Sequence, residues 1–334
     1  AAPALLTWTF THNPAARLRI KHVLGLEAVA EGLPLDPRYF RPGIQPRALD
    51  PITIILPVHD AFDVLTETLR RVAAHTDLPW HLVLIDDAST DPRMRPFLRS
   101  WVEDHQGQVT LIELDRNLGF IGAVNRGFAE AEQHSGHVVL LNSDAHVPEG
   151  WASRLVAPFQ QDRSIASVTP MSNDAEIFSA PMICVATPLP EGMVDRIDAV
   201  AQGLCAPDRL PSAPTGVGFC MAINSRWFSR LPRFDPEFGR GYGEEVDWCQ
   251  KLRAMGARHI CLPTLFVEHH GGQSFGVDAK KSMVPRANAV IARRYPTYDT
   301  EVQAFIASDP LRTPRLALAI AIAGELGLDP LPLF

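Results

Sequence analysis

Between residues 52 and 142, short β-branched runs alternate with stretches of helical spacing, and this rhythm constrains the fold more than any other feature. The runs are 52–57 (ITIILP), 81–85 (HLVLI), 109–114 and 137–142 (HVVLLN), with helical spacing over 64–74, 92–104 and 121–133. Apolar runs of this kind are strands covered on both faces, and strands separated by single helices form βαβ units. The expectation is an α/β domain on a mostly parallel sheet flanked by helices. Ligands of such sheets bind beyond the carboxyl ends of the strands, so the residues just after each strand matter most.

The flanks read differently. Residues 1–50 form an N-terminal extension, with a helix around 17–30 and a Pro-rich linker over 35–51. The rhythm weakens after about 170. Residues 185–214 are loop-rich with a helix over 193–204, a strand-like segment covers 218–224, and a helix starts near Glu244. The main domain is expected over 51–275 and a C-terminal helical extension over 276–334. The apolar tract 316–324 falls short of the roughly 20 residues a spanning helix needs. Its Ala content favours a helix packed on its own domain, and it lacks the basic face of an interfacial helix.

Composition narrows the function classes. With 38 acidic against 31 basic residues, the net charge of −7 argues against nucleic-acid binding, which wants a basic face. It favours a metal-dependent site if the substrate is an anion. Five cysteines without a CxxC pair argue against a disulfide framework or zinc ribbon and for a reducing compartment. The opening residues have no basic stretch ahead of their apolar run, so no secretory leader is expected among them. They also lack a Met, which fits a processed chain or a part of a longer one.

Three strand ends carry acids: Pro57-Val58-His59-Asp60, Asp86-Asp87-Ala88-Ser89-Thr90-Asp91 and Asn142-Ser143-Asp144-Ala145-His146. Any single Asp there, Asp91 above all, reads as a cap on the next helix. Acids delivered to one rim by neighbouring strands need a compensating cation or donors. In Arg116-Asn117-Leu118-Gly119-Phe120-Ile121-Gly122, the glycines permit close backbone approach at a helix start, where N–H groups favour anions. The dinucleotide fingerprint GxGxxG and the P-loop are both absent. Further on, Glu244, Glu245 and Asp247 open a helix behind the glycine-rich loop Gly239-Arg240-Gly241-Tyr242-Gly243. Acids in a first turn complement the helix dipole, yet the loop is too glycine-rich for a simple cap. The pair His269-His270 ahead of two glycines reads either as a surface turn or as a metal ligand.

The segments ILPVHDA, VLIDDASTD, RNLGFIGAVNRGF, VVLLNSDAHVPEGW, GVGFCMAI, FDPEFGRGYGEEVDWCQKL and EHHGGQSF occur in this order from about 52 to 275. Together they resemble the family 2 glycosyltransferases of the GT-A fold, a Rossmann-like α/β architecture. The resemblance implies that Asp86 contacts the base or ribose of a nucleotide-sugar, in a pocket lined by Pro57 and Val58. It implies that Asn117, Gly119 and Asn125 shape the donor site near ribose and diphosphate. Asp144 matches the last acid of the family's metal-binding DxD motif, Asn142 replaces the first, and Ser143 lies between them. His269 is then the expected second ligand for Mn²⁺ or Mg²⁺, with His146 as a rival. Glu245 matches the catalytic base, where Asp is usual, and Glu244 and Asp247 are neighbouring candidates. Gly218, Tyr242 and Trp248 are expected on the acceptor side.

The resemblance thus implies an inverting transfer from a nucleotide-sugar, UDP- or dTDP-linked by preference, to a glycan or glycoconjugate acceptor. The expected setting is cytoplasmic, at the inner face of a membrane or within a larger polypeptide. Two rivals stand beside it. A catalytically silent, sugar-binding scaffold is kept alive by Asn142 and Glu245. A sugar nucleotidyltransferase would want a basic glycine-rich loop, which ILPVHDAFD does not offer.

Overall fold

The computed structural model describes residues 35–41, 43, 45–271 and 277–327, so the helix expected around 17–30 lies outside the described residues. The chain divides into two compact units, Ala1–Asp36 and Pro37–Phe334, and every element below belongs to the second.

The sequence rhythm becomes β1 (Ile52–Val58), α1 (Phe62–His75), β2 (Trp80–Asp86), α2 (Met94–Asp104), β3 (Val109–Glu113), α3 (Gly119–Ala131) and β4 (His137–Leu141). There follow β5 (Ala145–His146), α4 (Trp151–Val156), α5 (Pro158–Gln161), β6 (Ile165–Met171), α6 (Val194–Gly203), β7 (Ser212–Ala213), β8 (Cys220–Ile223) and α7 (Ser225–Phe228). The chain continues through α8 (Glu244–Ala254), β9 (Arg258–Phe266), β10 (Glu268–His269), α9 (Val277–Arg294), α10 (Tyr298–Ser308) and α11 (Arg312–Glu325).

Eight strands form one sheet in the order β3-β2-β1-β4-β8-β6-β9-β7. Within β1, Ile54 and Leu56 join one apolar layer with Leu65, Leu69 and Trp151, while Ile55 joins another with Val124 and Phe128. This period of two, apolar on both faces, is what a sheet covered by helices on each side requires. Gly127 lets α3 lie close on β1, since a Cβ there would come within 2.5 Å of Ile55.

Strand direction decides where the chemistry collects. β1, β2, β3 and β4 are parallel, and β6 and β9 are parallel to each other. β8 runs antiparallel to both β4 and β6, so it presents its amino end where its neighbours present their carboxyl ends. Residues 86–87, 142–144, 172–174, 218–219 and 267–269 therefore share one rim. The strand expected over 218–224 is shorter, since β8 begins only at Cys220 and residues 215–219 are loop. The backbone of this loop is turned to other partners, with Gly216 N–H donating to Cys249 Sγ and Val217 N–H to Thr169 Oγ1.

The C-terminal apolar tract lies in α11, which packs on α6 and β9 through Leu318, Ala319, Ile322 and Ala323. Among the described residues no helix is long and apolar enough to cross a membrane.

Candidate functional site

The turn after β4 carries Asn142 and Asp144, and β10 pairs with β5 so that His269 faces them. His269 Nε2 lies 3.4 Å from Asp144 Oδ1 and 3.2 Å from Asn142 Nδ2. Its Nδ1 donates to the Asp174 carbonyl at 2.7 Å, which fixes the tautomer and aims the Nε2 lone pair at the carboxylate. A lone pair facing a carboxylate invites positive charge between them. Burial alone would lower the imidazole pKa, but Asp144 raises it above the ordinary value, and burial of Asp144 is likewise outweighed by His269. A carboxylate oxygen and an imidazole nitrogen so placed fit a divalent cation.

Glu244 and Glu245 open α8, where the loop before it turns through left-handed φ values at Gly239, Tyr242 and Gly243. Glu244 is buried, and its Oε2 has no hydrogen-bond partner. Burial and the adjacent Glu245 push Glu244 well above the usual carboxylate range. Glu245 is half-buried. Burial and the charge of Glu176 raise it to about 7, against donation from the Gly218 N–H. Tyr242 and Tyr298 stand beside this acidic cluster, both phenols pushed up by burial and by neighbouring carboxylates.

Two consecutive residues join these halves. A Cβ on Gly218 would sit 2.4 Å from Glu245 Oε1, so only glycine admits the carboxylate here. The Phe219 ring lies 5.0 Å from that of His269, and its carbonyl accepts from the Asn142 N–H at 2.8 Å. The acid pair and the Asp144–His269 pair thus flank one short stretch of backbone.

At the β2 end the roles differ from those implied. Asp86 is fully buried, with Oδ2 paired to Arg95 at 2.8 Å and Oδ1 accepting from Ser89 N–H, so both its oxygens brace the turn. Asp87 instead reaches across the rim, accepting from the N–H groups of Leu118 and Gly119 at 2.6 and 2.8 Å. The amino end of α3, expected to attract a diphosphate, is therefore already capped by a carboxylate. Asn117 bridges His59 and Arg240, tying the β1 turn to the glycine-rich loop.

Gly119 makes this closure possible. Its φ is +76°, and a Cβ would fall 2.7 Å from the Arg240 carbonyl oxygen and 2.8 Å from its Cα. Gly119→Ala is expected to lower stability by about 1–3 kcal/mol in urea denaturation, because both backbones must move.

Comparison with known proteins names this architecture. The sequence pattern described as Glycosyl transferase family 2 matches residues 53–231, just over half of the chain. The chain belongs to glycosyltransferase family 2. Over 265 residues it is 24% identical to a probable N-acetylgalactosaminyltransferase 7 of Caenorhabditis elegans, covering 72% of this chain and 42% of that protein. The O-antigen biosynthesis protein RfbC of Myxococcus xanthus is 25% identical over 70% of this chain and 18% of its own length. This glycosyltransferase thus spans less than half the length of these curated relatives. The crystal structure of GalNAc-T7 with UDP, GalNAc and Mn²⁺ superposes with a TM-score of 0.56 at 19% identity, over 77% of this chain and 50% of the other. A mannosyltransferase of Pyrobaculum calidifontis in complex with GDP-Man and Mn²⁺ gives 0.50 at 18% identity, over 97% of both chains. Both likenesses establish the GT-A fold.

Within this family 2 glycosyltransferase the structure brings Asp144, His269 and Asn142 together, and Glu244, Glu245, Gly218 and Tyr242. Besides Asp86, five residues singled out in the sequence serve the scaffold instead. Asp247 is buried against Lys251, Arg294 and the Tyr295 hydroxyl, so it is not free to act as a base. Trp248 is core, its Nε1 donating to the Leu231 carbonyl, and does not reach an acceptor. Asn125 has both ends of its amide on the Phe234 backbone. Val58 is packed in the core, leaving Pro57 as the partly exposed member of that pair. Ser143 is buried, its carbonyl accepting from Thr68. The sequence reading missed Asp87, Asp174, Glu176 and Tyr298. Only Asp87 had a signal, as the second acid of a doublet whose strand ends between the two.

Proposed function

We propose that this protein transfers a sugar from a nucleoside-diphosphate sugar to an acceptor hydroxyl with inversion at the anomeric carbon. The observation that carries this reading is the span Gly218–Phe219, which sets one elevated carboxyl beside the Asp144–His269 pair. Asp144 and His269 hold a divalent cation, Mn²⁺ or Mg²⁺. A bound cation of this kind neutralises the charge that grows on the departing diphosphate. Glu245 faces the acceptor and takes the proton of its hydroxyl as the new C–O bond forms and the bond to phosphate breaks. Glu244 keeps its own proton and so spares the site a second negative charge. A single base opposite the leaving group supports direct displacement, hence inversion. The acceptor side lies by Gly218, Tyr242 and Tyr298, and the RfbC likeness supports a glycan or glycoconjugate as acceptor. A UDP- or dTDP-sugar is the favoured donor, supported by the UDP held in GalNAc-T7.

A thermal-shift panel of UDP, dTDP, GDP and CMP, each with Mn²⁺, Mg²⁺ or EDTA, tests the donor half. One nucleotide at 100 times its Kd is expected to stabilise the protein by about 2.7 kcal/mol, and only with metal present. A shift that survives EDTA would remove the cation from the reading. No shift with any nucleotide would leave a silent scaffold in its place.

A further inference from the structure

The family pattern ends at residue 231, yet the C-terminal helices α10 and α11 reach the acceptor side. We propose that Arg315, in α11, is a positioning residue of this site: it holds the turn that follows β6 and so keeps the carboxylate of Glu176 beside Glu245. The consequence for turnover rests on the reading above, in which Glu245 is the base; the anchoring of the turn does not.

Arg315 is 5% exposed, and a guanidinium tolerates such burial only with its donors engaged. Its Nε and Nη2 meet the two oxygens of Asp309, each at 3.1 Å, which closes the corner between α10 and α11. That pair alone would account for the corner. The guanidinium reaches further, with Nη2 donating to the Ile177 carbonyl at 3.0 Å and Nη1 to the Ser179 carbonyl. A planar fork serves several acceptors at fixed angles, which the compact ammonium of Lys does not. From α10, the Phe305 ring stands edge-on to Phe178, with centroids 6.3 Å apart.

What these contacts hold is a strained piece of backbone. Glu176 has a φ of +50°, in the left-handed region, where a long side chain is uncommon and persists only when its surroundings impose it. A short 3-10 turn over Glu176–Phe178 follows, closed by the Ser179 N–H on the Glu176 carbonyl at 3.1 Å. The near end is tied to β10, where the Asn173 amide bonds to the N–H and the carbonyl of His269 at 2.8 and 2.9 Å. Arg315 grips the far end, so Glu176 is set between two fixed points. Glu245 faces Glu244 and Cys249 on its own helix, Tyr242 in the loop before it, Tyr298 on α10 and Glu176 on the turn. Glu176 thus brings to Glu245 a carboxylate from another element, and a like charge there keeps Glu245 protonated to higher pH.

The full chain, with ¹³C at its Glu carboxyl carbons, is titrated by NMR. The Glu245 midpoint, about 7 in the wild type, is expected to fall in Glu176→Gln and in Arg315→Lys. The like charge is removed in the first and released in the second. In E176Q/R315K the midpoint is expected to match that of Glu176→Gln, since Arg315 acts through Glu176. Amide hydrogen exchange over 175–179 reads the anchoring itself. Arg315→Lys is expected to exchange about 10–100-fold faster there, as the loss of hydrogen bonds from a charged donor implies, with urea melts verifying the fold. A midpoint that stays unmoved in Glu176→Gln overturns the proposal without any change at Arg315. A folded Arg315→Lys with wild-type exchange overturns it as well, and so does a double variant whose midpoint falls below that of Glu176→Gln. Full turnover in Glu245→Gln, with midpoints and exchange as expected, would instead defeat the base reading and leave the anchoring standing.

Discussion

Glu245→Gln is expected to lower kcat by about 10²–10⁴-fold, the usual contribution of a positioned general base. The nucleotide-induced thermal shift should persist, because Glu245 is placed at the acceptor and not among the cation ligands. Gln keeps the size of the side chain and so its place beside Gly218. The pH profile carries the same signature. A base with a pKa raised to about 7 is protonated below that value, so wild-type turnover is expected to climb as pH rises through 7. Stability must move the other way. The folded-state pKa lies above the ordinary carboxyl value of 4.5, so the wild-type protein loses stability as pH rises from about 4.5 to about 7. Glu245→Gln removes that loss and is expected to melt no lower than wild type at pH 8. Glu244→Gln imitates a carboxyl that is already protonated and should cost little in turnover. Full activity in Glu245→Gln, or an Asp247→Asn variant that folds and loses turnover in its place, would sink the assignment.

The strands and helices from β1 to β4 could be read directly, because each short apolar run needed cover on both faces and each helix carried its own spacing. What rhythm cannot give is direction. Nothing in CMAI says that β8 runs against its neighbours, yet that reversal brings Gly218 and Phe219 to the rim. Side-chain roles followed the same divide. Asp144 and His269 were legible because their motifs end strands that meet at one edge. Asp86 and Asp87 are chemically identical in sequence, and only the end of β2 decides which is buried under Arg95 and which reaches α3. Asp247 looked like a candidate base because its partners, Arg294 and Tyr295, lie far along the chain. Tyr298 sits in a segment with no motif, and only the fold brings it to Glu245.

The stability of the rim leans on one buried ion pair, and Asp198→Ala is expected to cost about 3–5 kcal/mol, as breaking such pairs does. Arg154 and Asp198 are each about 2% exposed or less and meet at 2.6 Å. Removing the carboxylate leaves a guanidinium with almost no access to water. Two further bonds fall with it or lose their anchor: Asp198 Oδ1 accepts from the Phe266 N–H at 2.9 Å, and Arg154 Nη1 donates to the Thr264 carbonyl at 3.1 Å. Both lie at the end of β9, just before Glu268 and His269, so the pair clamps the strand that delivers them. A domain typically holds about 5–15 kcal/mol in all, so the loss should be plain in the urea midpoint. If the cost comes from an orphaned charge, replacing both partners by apolar residues of similar size should recover much of it. The double variant R154M/D198L is therefore expected to melt above Asp198→Ala. A double variant as unstable as the single one would instead place the cost in the lost clamp on β9, since Phe266 N–H then lacks its acceptor in both.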